Sequence, residues 1–268
     1  GTYDGETGTY SNYVVHPAFN YGSNKLRGLW VGKYEASKVT GTTTLQIKAG
    51  VKSWTSIDIG DMYATCVEMN KSGNPYGLST NDSIVDPHMM KNTEWGAVAY
   101  LSKSKYGKET EQVWINPNSN YITGQAGNSV DATGTSSTND YKSTNGQEAS
   151  TTGNITGVYD MSGGRAEYVA AYVNTEHDNL QEQGANLVNA PEKHKDVYDG
   201  STSDSNSFMQ SNYRRAIDKY GDAIYEVSSN VGDKYKTWYE DEAYFPYGGF
   251  PFFNRGNSFN MNIYSGIF

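Results

Sequence analysis

The chain has 268 residues, enough for a sizeable core, yet only 36% are hydrophobic, while 23 are Tyr and 29 are Gly. Its 21 basic and 30 acidic residues leave a net charge of −9. No basic run is interleaved with aromatics, which argues against a phosphate-binding surface and a nucleic-acid partner. A single cysteine, Cys66, excludes an internal disulfide, a Cys-based zinc site and a two-thiol centre. No run approaches the roughly 18 apolar residues of a membrane span, so this segment is not expected to be membrane-embedded.

Residues 1–12 are polar and Gly-rich and read as a loosely held arm, followed by one domain over 13–268. YVVHPAFNYG and LRGLWVGKYEAS carry β-branched and aromatic runs ended by Gly or Pro, the pattern of strands. Alternation through the second puts Leu29, Val31, Lys33 and Glu35 on one face, opposite Trp30, Gly32 and Tyr34. Asp58 opens a helix that places Met62, Cys66 and Met69 on one side, with Cys66 as a buried, inert thiol. The clearest helix runs from Asn92 to Ser104. Asn92 or Thr93 caps it, Glu94 favours its N-terminal dipole, and Trp95, Val98, Ala99 and Leu101 form its apolar stripe.

Two stretches, 116–153 and 177–212, are rich in small polar residues and read as irregular insertions. Between them, Thr156 to Val173 turns at Ser162-Gly163-Gly164 and then regains apolar character. Tyr213 to Ser229 reads as a short helix broken at Gly221. The final 34 residues hold twelve aromatics. Such density makes either a core or a rigid contact surface, and alternation along extended chain sends some rings each way.

Candidate chemistry is thin. Asp82, Asp86, Asp160 and the Asn116-Pro117-Asn118 loop offer oxygens of the type Ca²⁺ takes, although solvated turns are the simpler reading. No other cofactor is expected. Glu94 and Glu167 have the residue type of an acid/base pair, but each sits where capping or an internal hydrogen bond is the ordinary role.

Four segments stand in a recognisable order. GLWVGKYEAS (28–37), KNTEWGAVAYL (91–101), GVYDMSGGRAEYV (157–169) and FFNRGNSF (252–259) resemble successive motifs of the formylglycine-generating-enzyme, or sulfatase-modifying-factor, family. The resemblance implies an α+β, C-type-lectin-like fold with small antiparallel sheets, two main helices and much irregular chain. The oxidase cysteine pair and the histidine triad of the related sulfoxide synthases have no counterpart here, so no catalytic residues are carried over.

The C-terminus is more similar to variable proteins of diversity-generating retroelements, whose last segment is mutagenised to change ligand. On that likeness Arg255, Gly256 and Gly266 are scaffold. The variable surface comprises Phe252, Asn254, Asn257, Ser258, Phe259, Asn260, Met261, Asn262, Ile263 and Tyr264, framed by the aromatics Trp238, Tyr244 and Tyr247. The resemblance implies a non-catalytic phage, prophage or bacterial surface protein, extracellular, that binds a protein or glycan receptor on a host or neighbouring cell. The alternatives are a virion or pilus subunit with an aromatic assembly face, and a divergent enzyme of the formylglycine-generating type.

Overall fold

The structure, a computed structural model, describes residues 2–4, 9–11, 15–111, 113–127, 138–175, 177–199, 219, 221–224, 228–229, 242–243, 246, 249–260 and 266–267. These residues form a mixed α/β arrangement of small sheets and few helices. In chain order, the elements used below are β1 (Ala36–Lys38), β2 (Leu45–Ile47), α1 (Ile59–Val67), α2 (Asn92–Ser102), β3 (Gln125–Gly127) and β4 (Thr138–Asp140). They continue with β5 (Glu167–Val173), α3 (Asn179–Val188), β6 (Asp196–Tyr198) and β7 (Phe252–Arg255). The pairs β1–β2 and β3–β4 are antiparallel. Within residues 2–11, Thr2–Asp4 pairs with Thr9–Ser11.

Everything is built around β5. Its sequence EYVAAYV is apolar on both faces, as a strand covered on both sides must be. It pairs in parallel with β6 and antiparallel with β7, with a register shift between Phe252 and Asn254. Val169, Ala171 and Val173 pack with Trp95, Val98 and Ala99 of α2 and with Phe253. Ala170 and Tyr172 face the other way, into Ile59 and Tyr63 of α1, Leu180 and Leu187 of α3, and Phe252. The sheet is thus sandwiched between one helix and a helix pair. Gly184, where α3 leaves helical geometry, is the point of closest approach: a Cβ there would collide with the Phe252 ring.

Several elements differ from the sequence reading. The segment 29–35 forms no strand, and Trp30 is fully exposed, at 102%. The stretch beyond His177, expected to be an excursion, supplies α3 and the edge strand β6. Polar composition hid both, because α3 is apolar along one stripe only and β6 is three residues long. Within the 116–127 part of the first polar stretch, Asn116 and Asn118 are buried rather than solvated, and their amides are spent on backbone groups of 118, 120, 122, 125 and 127.

The start of α2 is capped differently from expectation. The Glu94 carboxylate accepts from the Lys91 N–H at 2.9 Å, and Asp196 of β6 accepts from the Thr93 N–H at 2.7 Å. Leu101 is exposed rather than part of the apolar stripe. The 213–229 helix lies largely outside the described residues.

The Asn92 side chain has other work. Its Oδ1 accepts from Arg255 Nε at 2.8 Å and Nη2 at 2.7 Å, and its Nδ2 donates to the Tyr198 hydroxyl at 2.8 Å. Tyr198 donates on to Asp222 at 2.7 Å, and Arg255 Nη2 also donates to the Asp222 carbonyl at 2.9 Å. One buried arginine therefore joins α2, β6, β7 and the 221–224 turn. A buried cation stripped of its acceptors is costly, and so are acceptors left without it. Arg255→Ala should lower unfolding free energy by about 3 kcal/mol, and Arg255→Lys by nearly as much, because an ammonium lacks the fork that grips Asn92. Urea denaturation measures this. A loss under about 1 kcal/mol for Arg255→Ala would show that the network does not hold the fold.

Candidate functional site: the turn after the last described strand and its aromatic neighbours

Where β7 ends, the chain turns with two residues at positive φ, Gly256 at 73° and Asn257 at 51°. Glycine is required at the first, since a Cβ there would also strike the Glu167 carboxyl. Asparagine tolerates the second, and its Oδ1 accepts the Ser258 N–H at 2.8 Å. The turn interlocks with the Ser162-Gly163-Gly164 turn that precedes β5. The Gly163 N–H donates to the Gly256 carbonyl and the Phe259 N–H to the Gly164 carbonyl, both at 3.0 Å. Asn116 clamps that second turn from behind, donating to Ser162 O and accepting from Gly164 N–H, both at 2.8 Å.

On this frame lies a small mixed surface. The Phe259 ring meets the Tyr121 ring edge-on with centroids 5.8 Å apart, and the Arg165 guanidinium lies 5.4 Å from the Tyr121 ring centre. Arg165 and Asn260 are exposed, while Tyr121, Asn257, Ser258 and Phe259 are half-buried. Asn254 pairs across the sheet with Tyr168, whose side chain also reaches solvent.

Of the residues expected to bind, Asn254, Asn257, Ser258, Phe259 and Asn260 therefore lie at or beside this surface. Phe252 does not: it is 7% exposed and packed against Tyr172, because its turn of the alternation faces α1 and α3. Arg255, Gly256 and Gly266 are buried. Met261, Asn262, Ile263, Tyr264, Trp238, Tyr244 and Tyr247 lie outside the described residues. Sequence reasoning missed Tyr121, Arg165 and Tyr168. The signal for Tyr121 was a lone aromatic inside a polar run, and for Arg165 a charge where the resembled motif has none.

Beneath the surface sit three carboxyl groups. The Glu35 carboxylate accepts from Ser53 Oγ at 2.5 Å; Asp160 accepts from the N–H groups of Gly124, at 2.9 and 3.0 Å, and of Glu35, at 3.2 Å. Neither Glu167 oxygen meets a hydrogen-bond partner, and both are shut off from solvent although the residue as a whole is half-buried. Burial first, then mutual repulsion for the glutamates, raises all three. Glu35 is pushed up to about 8 and Asp160 to about 7, with Glu167 well above the carboxylate range.

No family model and no curated protein matches this chain.

The other polar groups named from sequence are engaged internally. Asp82 is bonded to Asn70 and lies 3.6 Å from Lys71 Nζ, and Asp86 pairs with Lys193 and His194. Among the described residues, no group of three or more His, Cys, Asp or Glu side chains has the geometry to hold a metal ion. His88 and His194 stack with centroids 5.2 Å apart. His88 is bonded to Glu94, and His194 bridges the Tyr63 hydroxyl and Asp86. This cluster ties α1 to the start of α2 and leaves Glu94 occupied. Glu94 and Glu167 belong to different clusters, so they do not form an acid/base pair. Burial pushes the Cys66 thiol up to about 12.

Raised carboxyl pKa values make stability fall with pH. The unfolded chain releases these protons near pH 4, whereas the fold retains them, so their stabilising contribution is full below about pH 4. It is lost as pH rises through about 7 for Asp160 and 8 for Glu35. The unfolding midpoint in urea should therefore be higher at pH 5 than at pH 8.5, by the equivalent of at least about 2 kcal/mol. Glu167→Gln, which removes one charge at nearly constant shape, should reduce that difference. A midpoint that is flat or rises over this range would show that the three acids ionise freely in the fold.

Proposed function

We propose that this chain is a non-catalytic binding protein, a C-type-lectin-like scaffold of the retroelement-diversified kind, that presents the 254–260 surface to a receptor outside the cell, from a virion or cell surface. The observation that carries the reading is the division of labour at one turn. Arg255 and Gly256 are buried and held by hydrogen bonds, while Phe259 beyond them meets Tyr121, which also carries Arg165, at the solvent boundary. Aromatic rings give contact area at small entropic cost, and Asn and Ser supply adaptable hydrogen bonds. Among the described residues no helix is long and apolar enough to cross a membrane.

Arrays of glycans and of cell-surface proteins should retain the purified chain, and the Tyr121→Ala/Phe259→Ala double variant should lose at least about tenfold in affinity while urea stability changes by less than about 1 kcal/mol. Retention that the double variant leaves intact would place recognition elsewhere. Copies of the coding region from the source population should differ at 254 and 257–264 and agree at Arg255, Gly256 and Gly266. Variation spread evenly into α2 would remove the retroelement part of the proposal.

A further inference from the structure

Arg165 is the one strongly charged group on the proposed surface whose role the fold does not use. It is exposed, its guanidinium sits 5.4 Å from the Tyr121 ring centre, and it forms no ion pair among the described residues. Its placement is nevertheless fixed. Gly164 before it is held by Asn116 and by the Phe259 N–H, and β5 begins two residues later. Tyr121 beside it is pinned in a left-handed turn at φ 54°, with its N–H bonded to Asn118 O and its carbonyl accepting from the Ser53 N–H. An exposed guanidinium keeps its donors available to a ligand, and its planar fork can grip a carboxylate with two parallel bonds.

The nearest carboxyl groups do not satisfy it. Glu35 feels the Arg165 charge, but none of Glu35, Asp160 and Glu167 forms an ion pair with it among the described residues. An exposed guanidinium against the Tyr121 ring, which the Phe259 ring meets edge-on, is a partial site for an anionic ligand.

Resting on the reading of this surface as the binding face, we propose that Arg165 receives the carboxylate of an acidic sugar, a uronic or sialic acid. The rings of Tyr121 and Phe259 offer apolar area against which a pyranose stacks, and asparagine amides pair with hydroxyls. An acidic peptide carrying several charges fits less well, because a chain of net charge −9 repels several added charges more than it repels one. A sugar brings one charge and places it on the arginine.

The test uses the full chain on a glycan array holding sialic- and glucuronic-acid-terminated glycans beside their neutral counterparts, with a polyglutamate peptide as a further probe. The acidic glycans should bind at least tenfold more tightly than the neutral ones. Arg165→Gln should erase that preference and Arg165→Lys should restore only part of it, with urea midpoints unchanged for both because the side chain is exposed. Glycan binding that needs Phe259 but ignores both Arg165 and the carboxylate would overturn this inference and leave the binding surface standing. Polyglutamate bound in preference to every acidic glycan, in an Arg165-dependent way, would replace the sugar with a peptide. Absence of binding to every probe, or binding indifferent to Tyr121, Phe259 and Arg165 alike, would overturn the inference together with the reading beneath it.

Discussion

The buried guanidinium of Arg255 is the constraint on which the rest depends. A charge that is 2% exposed persists in a protein interior only if its donors find acceptors, and here they find Asn92 on α2 and the backbone of Asp222 and Ala223. The Tyr198 hydroxyl, between Asn92 and the Asp222 carboxylate, brings β6 into the same set. Four segments far apart in sequence are thus fixed in mutual orientation by directional bonds rather than by apolar contact alone. Apolar packing of β5 supplies bulk stabilisation, but apolar surfaces slide more readily than hydrogen-bonded forks. The network sets where β7 ends, and hence where the turn after it begins.

A second polar interior lies on the near side of β5 and works by the opposite logic. Around Arg255 the charge is surrounded by acceptors. Around Glu35, Asp160 and Glu167 the carboxyl groups have few donors, and binding a proton is the available remedy. Burial thus favours the protonated form of all three acids, and stability falls as they ionise.

How much of this was legible in the sequence differs by element. The helices at Ile59–Val67 and Asn92–Ser102 were visible because apolar residues recur at helical spacing between recognisable ends. The turn at 162–164 and the apolar run after it were visible from glycines and composition. What stayed hidden were polar residues with interior jobs. Asn116 and Asn118 look like surface loop residues until their amides are seen to stand in for missing backbone partners, and no local pattern distinguishes the two. Phe252 and Phe253 sit side by side and point into different cores, so the expected alternation of buried and exposed rings gives two buried faces at this pair, which was not assignable without a partner strand. Tyr121 and Phe259 are 138 positions apart, and their contact belongs to topology alone.

The interlock of the two turns has a consequence for what the surface tolerates. The bonds from Gly163 to Gly256 and from Phe259 to Gly164 run between main-chain groups, so no exchange of side chain at 258, 259 or 260 deletes them, short of proline at 259. Chemical identity at those positions is uncoupled from the path of the chain. Position 257 is the exception: its left-handed backbone suits Asn, Asp or Gly and penalises β-branched residues, so the permitted alphabet there is short. The turn thus behaves like a fixed typeface holder in which most slots accept any letter and one accepts only a few.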